Sequence, residues 1–309
     1  MLADRVGNES ATGIPAAIRT GLPPAGDAVD LSFLLGGRVF RVCGIPRNWR
    51  DLLPSRLLIN RADPAAQARR VIHLQLSRRD DLRAPAEPHD LNETSELVFE
   101  RDAVTYRSDW CEGRFSRRPG EQVRLLCHVD AGPWFGGVVE NMLRVVVAYD
   151  VLERSGVMLH CAAIVRQGRA VGLFGHSGAG KSTSSALAMS RGCSVISDDI
   201  NVIEPADSGW QVTPVPFSGT LNAASDIDRP VPLQGLFHLN KSDEVRVAGC
   251  SAARSVTLLA GSAPFVNRDP FAADRMVETL ARLASEVPVH DLYFTRDAAF
   301  VDHVFGELP

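Results

Sequence analysis

The sequence predicts an α/β fold, and three observations carry that prediction. The first is residues 175–183, Gly175-His176-Ser177-Gly178-Ala179-Gly180-Lys181-Ser182-Thr183, which read G-x-x-x-x-G-K-[ST]. The second is their context: a short apolar run, Arg169 to Phe174, precedes them, and a segment rich in Ala, Ser, Leu and Met, Ser182 to Arg191, follows and stops at Gly192. Strand, glycine turn and helix thus come in the order a phosphate-binding loop needs. The third is a run of short apolar strand signals before the turn and a mixture of strands and amphipathic helices after it. The chain divides into a tail over 1–29, a β-rich region over 30–135 and a domain built on the glycine turn over 136–309.

The turn has a chemistry of its own. Glycines let successive N–H groups point inward at phosphate oxygens, and the new helix adds the partial positive charge of its N-terminus. The Lys181 ammonium reaches outer phosphates as a point charge. The Ser182 hydroxyl is a ligand type for the magnesium that bridges them. Of the 33 basic residues only two, Lys181 and Lys241, are lysines. One of the two occupies the position where a compact ammonium on a flexible stem is needed.

Composition bounds the rest. A hydrophobic share of 45% with 23% charged residues is ordinary for a globular protein. A net charge of −4 leaves no basic surplus for nucleic acid or an anionic membrane surface. The six cysteines are scattered without metal spacing, the N-terminus does not read as a signal peptide, and no stretch approaches a membrane span. A reduced, cytoplasmic protein with no membrane partner is the expectation.

In chain order, Leu31 to Val42 suits a hairpin broken at Gly36-Gly37, Asp51 to Leu58 a short turn or helix, and Ala65 to Arg70 a short helix. Val71 to Leu76 reads as a strand, with His73 a packed or surface residue, and Ala84 to Glu96 as loop. Leu97–Glu100 and Ala103–Tyr106 read as a hairpin, and Val123 to Val129 as a further strand. His128 beside Asp130 makes a poor catalytic candidate. Val138 to Arg154 keeps apolar groups on a broad helical face.

Val157 to Val165 is almost wholly apolar and returns through Gln167-Gly168 into the strand of the glycine turn, which brings His160 to the end bearing that turn. Cys193 to Ser197 is a strand ending in Asp198 and Asp199, one β-α-β unit after the turn. Alternation along a strand sends the two acids to opposite sides, so one can hold metal while the other receives a proton from an attacking hydroxyl; the other reading is that they begin a turn or cap the next segment.

Asn201–Glu204 and Gln211–Thr213 read as strands, Pro214–Thr220 as an irregular loop long enough to cover a site, and Val231–Leu239 as a strand. A turn at Lys241–Glu244, a strand Val245–Val247, a helix Ser251–Leu259 capped by Ser251, an amphipathic helix Phe271–Ser285, a strand over 287–294 and a last helical turn over 297–305 complete the chain. His290 and His303 read as surface residues.

Leu159-His160-Cys161-Ala162-Ala163, the hairpin, the 175–183 turn and Ser197-Asp198-Asp199 together resemble the catalytic core of HPr kinase/phosphorylase, and more closely the HPr-kinase-like proteins of peptide-modification gene clusters. The resemblance covers about residues 137–300, including Gly235–Leu239, Val245–Val247 and the Ser251 helix. It implies a P-loop core with a mixed β-sheet of the HPr kinase C-terminal and phosphoenolpyruvate carboxykinase type, preceded by a β-rich N-terminal region. It also implies ATP and Mg2+ as cofactors, a serine hydroxyl of a peptide or small protein as acceptor, and an oligomer.

Carried over, His160 matches the histidine before the loop, Lys181 and Ser182 the loop lysine and metal-binding hydroxyl, and Asp198 and Asp199 the paired acids. Nothing after Asp199 matches the acid- and glycine-rich run of HPr kinases, and the N-terminal part does not resemble theirs. The candidate site is therefore His160, Lys181, Asp198 and Asp199 for catalysis, residues 175–183 for the nucleotide, and Ser182 with Asp198 for metal. A nucleotide-binding regulatory protein without transfer activity, and a carboxykinase-like or other small-molecule kinase, are the alternatives.

Overall fold

The computed structural model describes residues 27–82, 95–118, 120–217, 219 and 227–306. Over these the chain is mixed α/β, with two mixed sheets and helices packed on them.

The first sheet holds β1 (Ala28–Leu35), β2 (Arg38–Pro46), β3 (Arg70–Ser77), β4 (Glu96–Phe99), β5 (Ala103–Ser108), β6 (Cys111–Ser116) and β7 (Val123–His128). Their order is β1-β2-β3-β7-β6-β5-β4, with β3 parallel to both β2 and β7 and every other pair antiparallel. The Gly36-Gly37 hairpin is present and longer than expected, since β1 starts at Ala28, inside the segment read as tail. Residues 1–26 and most of the 84–96 loop lie outside the described residues. A short helix, α1 (Ser55–Ile59), and a 3-10 turn, Arg47–Leu52, occupy the segment read as turn or helix.

Residues 65–69 are not helical. Asp63 Oδ1 accepts the Ala65 N–H at 2.8 Å and the Asp63 carbonyl accepts the Ala66 N–H at 3.0 Å, a local turn that leads straight into β3. Strand β6 is absent from the sequence reading. Its inward residues are Cys111, Gly113 and Phe115, separated by half-buried Glu112 and exposed Arg114, which is too little apolar signal to register.

Helix α2 (Phe135–Glu153) lies between the two sheets. Fifteen of its 19 residues are buried, which is what a helix apolar on nearly every side requires. Each large aliphatic side chain so buried stabilises the fold by about 1.5–3 kcal/mol. One apolar cluster joins both sheets across it, from Phe33 and Phe115 to Leu159 and Val202. The buried Asp150 on this helix accepts Arg69 at 2.6 Å and Arg154 at 3.1 Å, and Arg154 pairs in turn with Glu204.

The second sheet holds β8 (Val157–Arg166), β9 (Arg169–Phe174), β10 (Ser194–Ser197), β11 (Ile200–Ala206), β12 (Gly209–Thr213), β13 (Val231–Lys241), β14 (Arg246–Gly249) and β15 (Val289–Phe294). Pairings run β8 to β11, β12, β13 and β9 and return to β8, so five strands form a closed circuit; β10 adds to β8, and β15 with β14 extends from β13. Helix α3 (Lys181–Ser190) and α6 (Phe300–Phe305) cover one face over Ala162, Ile164, Leu173 and Phe237. Helices α4 (Ala252–Gly261) and α5 (Ala273–Glu286) cover the other.

Ser251 stands at the start of α4 with extended backbone, yet its side chain makes no capping bond; its carbonyl accepts the Ser255 hydroxyl at 3.0 Å.

His73 is exposed on β3, and His303 is exposed as expected. His290 is not a surface residue: it stacks on Phe237 at 5.5 Å, and both ring nitrogens are buried with no hydrogen-bond partner among the described residues. That burial pushes its pKa down.

Asp291, on the α4 side of β15, is held by His238 at 2.9 Å, Asn240 at 3.0 Å and Arg254 at 3.1 Å. Burial raises its pKa, but hydrogen bonds from Arg254, His238, Asn240 and Cys250 outweigh that and hold the carboxyl well below the usual range.

Among the described residues no helix is long and apolar enough to cross a membrane. All six cysteines are free thiols.

Candidate functional site

Strand β9 is central, antiparallel to β8 through Cys161↔Phe174 and parallel to β13 through His238↔Phe174. The glycine turn therefore leaves the middle of the sheet and feeds α3. Gly180 caps α3 with φ +111°, and a Cβ there would lie 2.9 Å from Phe294 Cζ. Both the backbone and the packing demand glycine at that point.

Lys181, the first residue of α3, is buried, and its Nζ donates to the carbonyls of Gly175 at 3.0 Å and His176 at 3.3 Å. The ammonium thus lies across its own loop. Burial lowers its pKa, and Asp199, Cys161 and Asp198 act in the opposite direction.

The two acids come from the other edge of β8. Strands β10 and β11 run along that edge, with Ser197↔Ala163 and Ile200↔His160 in one register; the ladder shifts between Val195 and Ser197 and breaks at 198–199. The strand breaks because the Ser197 hydroxyl accepts the Asp199 N–H at 3.2 Å. Asn201 Nδ2 pins the bend from behind, donating to Cys161 O at 2.7 Å and Ser197 O at 3.2 Å.

Strand alternation is thus not what separates the acids; they occupy a two-residue bend. Asp198 is buried at 5% exposure, while the Asp199 side chain keeps 23%. Asp199 Oδ1 lies 3.6 Å from His160 Nε2. His160 stands on β8 between the glycine turn and the acids. Its pKa is lowered by burial first and by Lys181 next, against Asp199. Lys181, His160, Asp198 and Asp199 share one electrostatic neighbourhood, so the residues singled out in the sequence converge.

Arg144 was not among them. It sits on α2, 14% exposed, and donates to Glu140 Oε1 at 2.8 Å and to Asp199 Oδ2 at 3.3 Å. Its guanidinium lies 5.5 Å from the centre of the Phe217 ring. The only signal in the sequence is an i,i+4 Glu–Arg pair inside an otherwise apolar helix.

The irregular segment after β12 does reach the site. Phe217 meets Arg144, its carbonyl accepts Arg56 at 3.4 Å, and Gly219 lies against the Asp198 carboxylate. A Cβ on Gly219 would collide with Asp198 Oδ1. Gly219→Ala is expected to lower stability by about 1–3 kcal/mol through that overpacking, read as a fall in denaturant midpoint; an unchanged midpoint would show that the segment does not press on the acid.

Among the described residues no group of three or more His, Cys, Asp and Glu side chains could hold a metal by itself. Ser182 and Asp198 are oxygen donors beside Lys181, a set that suits a magnesium ion sharing its coordination with phosphates and water. On the outer flank of the turn lies a cavity of about 400 Å3, bounded by Gly180, Thr183, Lys241, Asp243, Phe294 and Arg296. Lys241, expected in a turn, is the last residue of β13.

Fold and site together define a mixed α/β protein whose strand–glycine turn–helix unit faces a carboxylate pair. Residues 127–303, more than half of the chain, match the family described as SynChlorMet cassette protein ScmC, and the chain belongs to that family. The match begins at the end of β7 and takes in α2, the whole second sheet and most of α6. No curated protein matches the chain.

Proposed function

We propose that the protein is a kinase that transfers the γ-phosphoryl group of ATP, with magnesium, to a serine hydroxyl of a peptide or small protein. The observation that carries this reading is the placement of Asp199 and His160 across from Lys181 at the mouth of the glycine turn. The resemblance to HPr-kinase-like proteins supplies the direction of transfer and the class of acceptor. The family's description as a cassette protein suits an acceptor made by the same cassette.

Phosphoryl transfer asks the protein mainly for positioning and charge neutralisation. The amides of 175–183 and the Lys181 ammonium hold the phosphates. Ser182 and Asp198 would hold magnesium, which would supply neutralisation of charge on the phosphate oxygens. Asp199 is the more exposed acid and accepts the proton of the incoming hydroxyl. Its other oxygen is held by Arg144, a positioning residue that also bonds Glu140. His160, its pKa lowered by burial and by Lys181, stands 3.6 Å from the acid without competing for its charge.

The purified chain, incubated with γ-labelled ATP, magnesium and short serine peptides encoded beside its gene, should label one of them in an acid-stable, alkali-labile phosphoester. ATP turnover with no labelled peptide, or labelling that does not need magnesium, would overturn the reading.

A further inference from the structure

A cavity of about 460 Å3 lies on the first sheet, between residues 102 and 124, outside the stretch that matches the ScmC family. Arg114, Arg118 and Arg124 line it together with Asp102, Ser116 and Glu121. Arg114 and Arg124 stand directly opposite each other across β6 and β7, an arrangement in which like charges repel. Glu100 neutralises Arg114 through contacts of 2.9 Å and 2.5 Å. Arg118 and Arg124 are exposed, and among the described residues they enter no ion pair.

The wall that bears Arg118 is fixed from behind. Arg70, 1% exposed, donates to the carbonyls of Ser116 at 3.1 Å, Arg117 at 3.3 Å and Arg118 at 2.7 Å. Its hydrogen bonds go to carbonyls, so a buried positive charge stands behind the cavity with no carboxylate bonded to it among the described residues. Arg117 is committed to Asp269 and adds nothing to the cavity except a second anchor for the same turn. A wall held in this way gives up little conformational freedom when a ligand settles on it.

The mixture of groups selects the ligand. Unpaired guanidinium groups call for carboxylates, while Asp102 and Glu121 repel a bare anion and accept hydrogen bonds from N–H groups. A peptide rich in glutamate or aspartate offers both, side-chain carboxylates for Arg118 and Arg124 and backbone N–H groups for the two acids. Inorganic phosphate carries the charge without the N–H groups. We propose that this cavity binds an acidic segment of a peptide. Taken with the kinase reading, on which this second step rests, the segment is a part of the acceptor remote from its serine, so that capture and transfer are served by different sheets.

The test is calorimetric titration of the full chain with a short acetylated and amidated peptide of alternating glutamate and glycine. The same peptide with glutamine for glutamate, and inorganic phosphate, serve as comparisons. The glutamate peptide should bind, less tightly as salt rises, and the other two should bind at least about tenfold more weakly. Arg118→Gln and Arg124→Gln should each weaken the glutamate peptide about three- to fivefold, the scale of one exposed ion pair. Both side chains are exposed, so both variants should keep the wild-type melting temperature. No binding of the glutamate peptide, equal binding of either comparison, or full affinity in both variants would overturn the assignment of the cavity and leave the glycine turn's role standing. Joined to a serine peptide that the protein phosphorylates, the glutamate–glycine segment should lower KM and leave kcat unchanged; an unchanged KM would overturn the link to the acceptor. Binding of the glutamate peptide with no transfer to any serine peptide would overturn the kinase reading and that link, and keep the acidic-peptide site.

Discussion

Replacing Lys181 by alanine is expected to cut phosphoryl transfer by about a thousandfold or more, the scale seen when a preorganised charge is removed from a transition state. The thermal midpoint should not fall with it. Lys181 is buried and its pKa is pushed down, so the folded state bears a desolvation cost for carrying the charge. Alanine removes that cost together with two hydrogen bonds to the Gly175 and His176 carbonyls, which water at the loop can replace.

Lys181→Arg should fail almost as fully. The guanidinium is a planar fork and does not present the single compact nitrogen that reaches the Gly175 and His176 carbonyls at 3.0 Å and 3.3 Å. A steady-state transfer assay beside a melting curve checks both variants. Normal turnover in Lys181→Ala would remove the glycine turn from the reaction.

Much of this site was legible because its signals are local. The glycine turn, the apolar run before it and the stop at Gly192 each depend on a few adjacent residues, and β9 and α3 follow them closely. The hairpin return through Gln167-Gly168 fixed the register that brings His160 level with the turn, as Cys161↔Phe174 shows.

What the sequence hid depends on long-range packing. Arg144 is 55 positions from Asp199 in the chain, and only the crossing of α2 over the β8–β11 edge joins them. The bend at 198–199 looked like a strand end followed by another strand. It is one interrupted strand, because the Ser197 hydroxyl captures an N–H that a continuous ladder would have used. The expected helix over 65–70 stops at one local turn on Asp63, because the chain is drawn from there into β3, which pairs with β2 and β7 over long sequence separations. His290 looked exposed because polar residues in a short strand usually are, yet the ring is stacked on Phe237.

The two acids should separate by experiment. Asp199→Asn keeps the shape and the contact with Arg144 while losing the negative charge and the proton acceptor. Loss of a general base is expected to lower kcat by about 10²–10⁴-fold, with nucleotide affinity little changed because Lys181, Ser182 and Asp198 remain. Asp198→Asn should act differently: its carboxyl is buried beneath Gly219, away from an incoming hydroxyl, so the variant should need more magnesium and show a higher KM for ATP.

The pH profile adds a readout that mere loss of structure would not produce. Burial and Lys181 lower the His160 pKa, and Asp199 raises it. Wild-type activity should therefore persist below the ordinary histidine range of about 6.5 and fall only at more acidic pH, when His160 gains its proton. Removing the Asp199 charge takes away the largest upward influence, so residual activity of Asp199→Asn should hold to lower pH still. Exchanged phenotypes would make Asp198 the base. Transfer at the wild-type rate in both variants would take the carboxylates out of the chemistry.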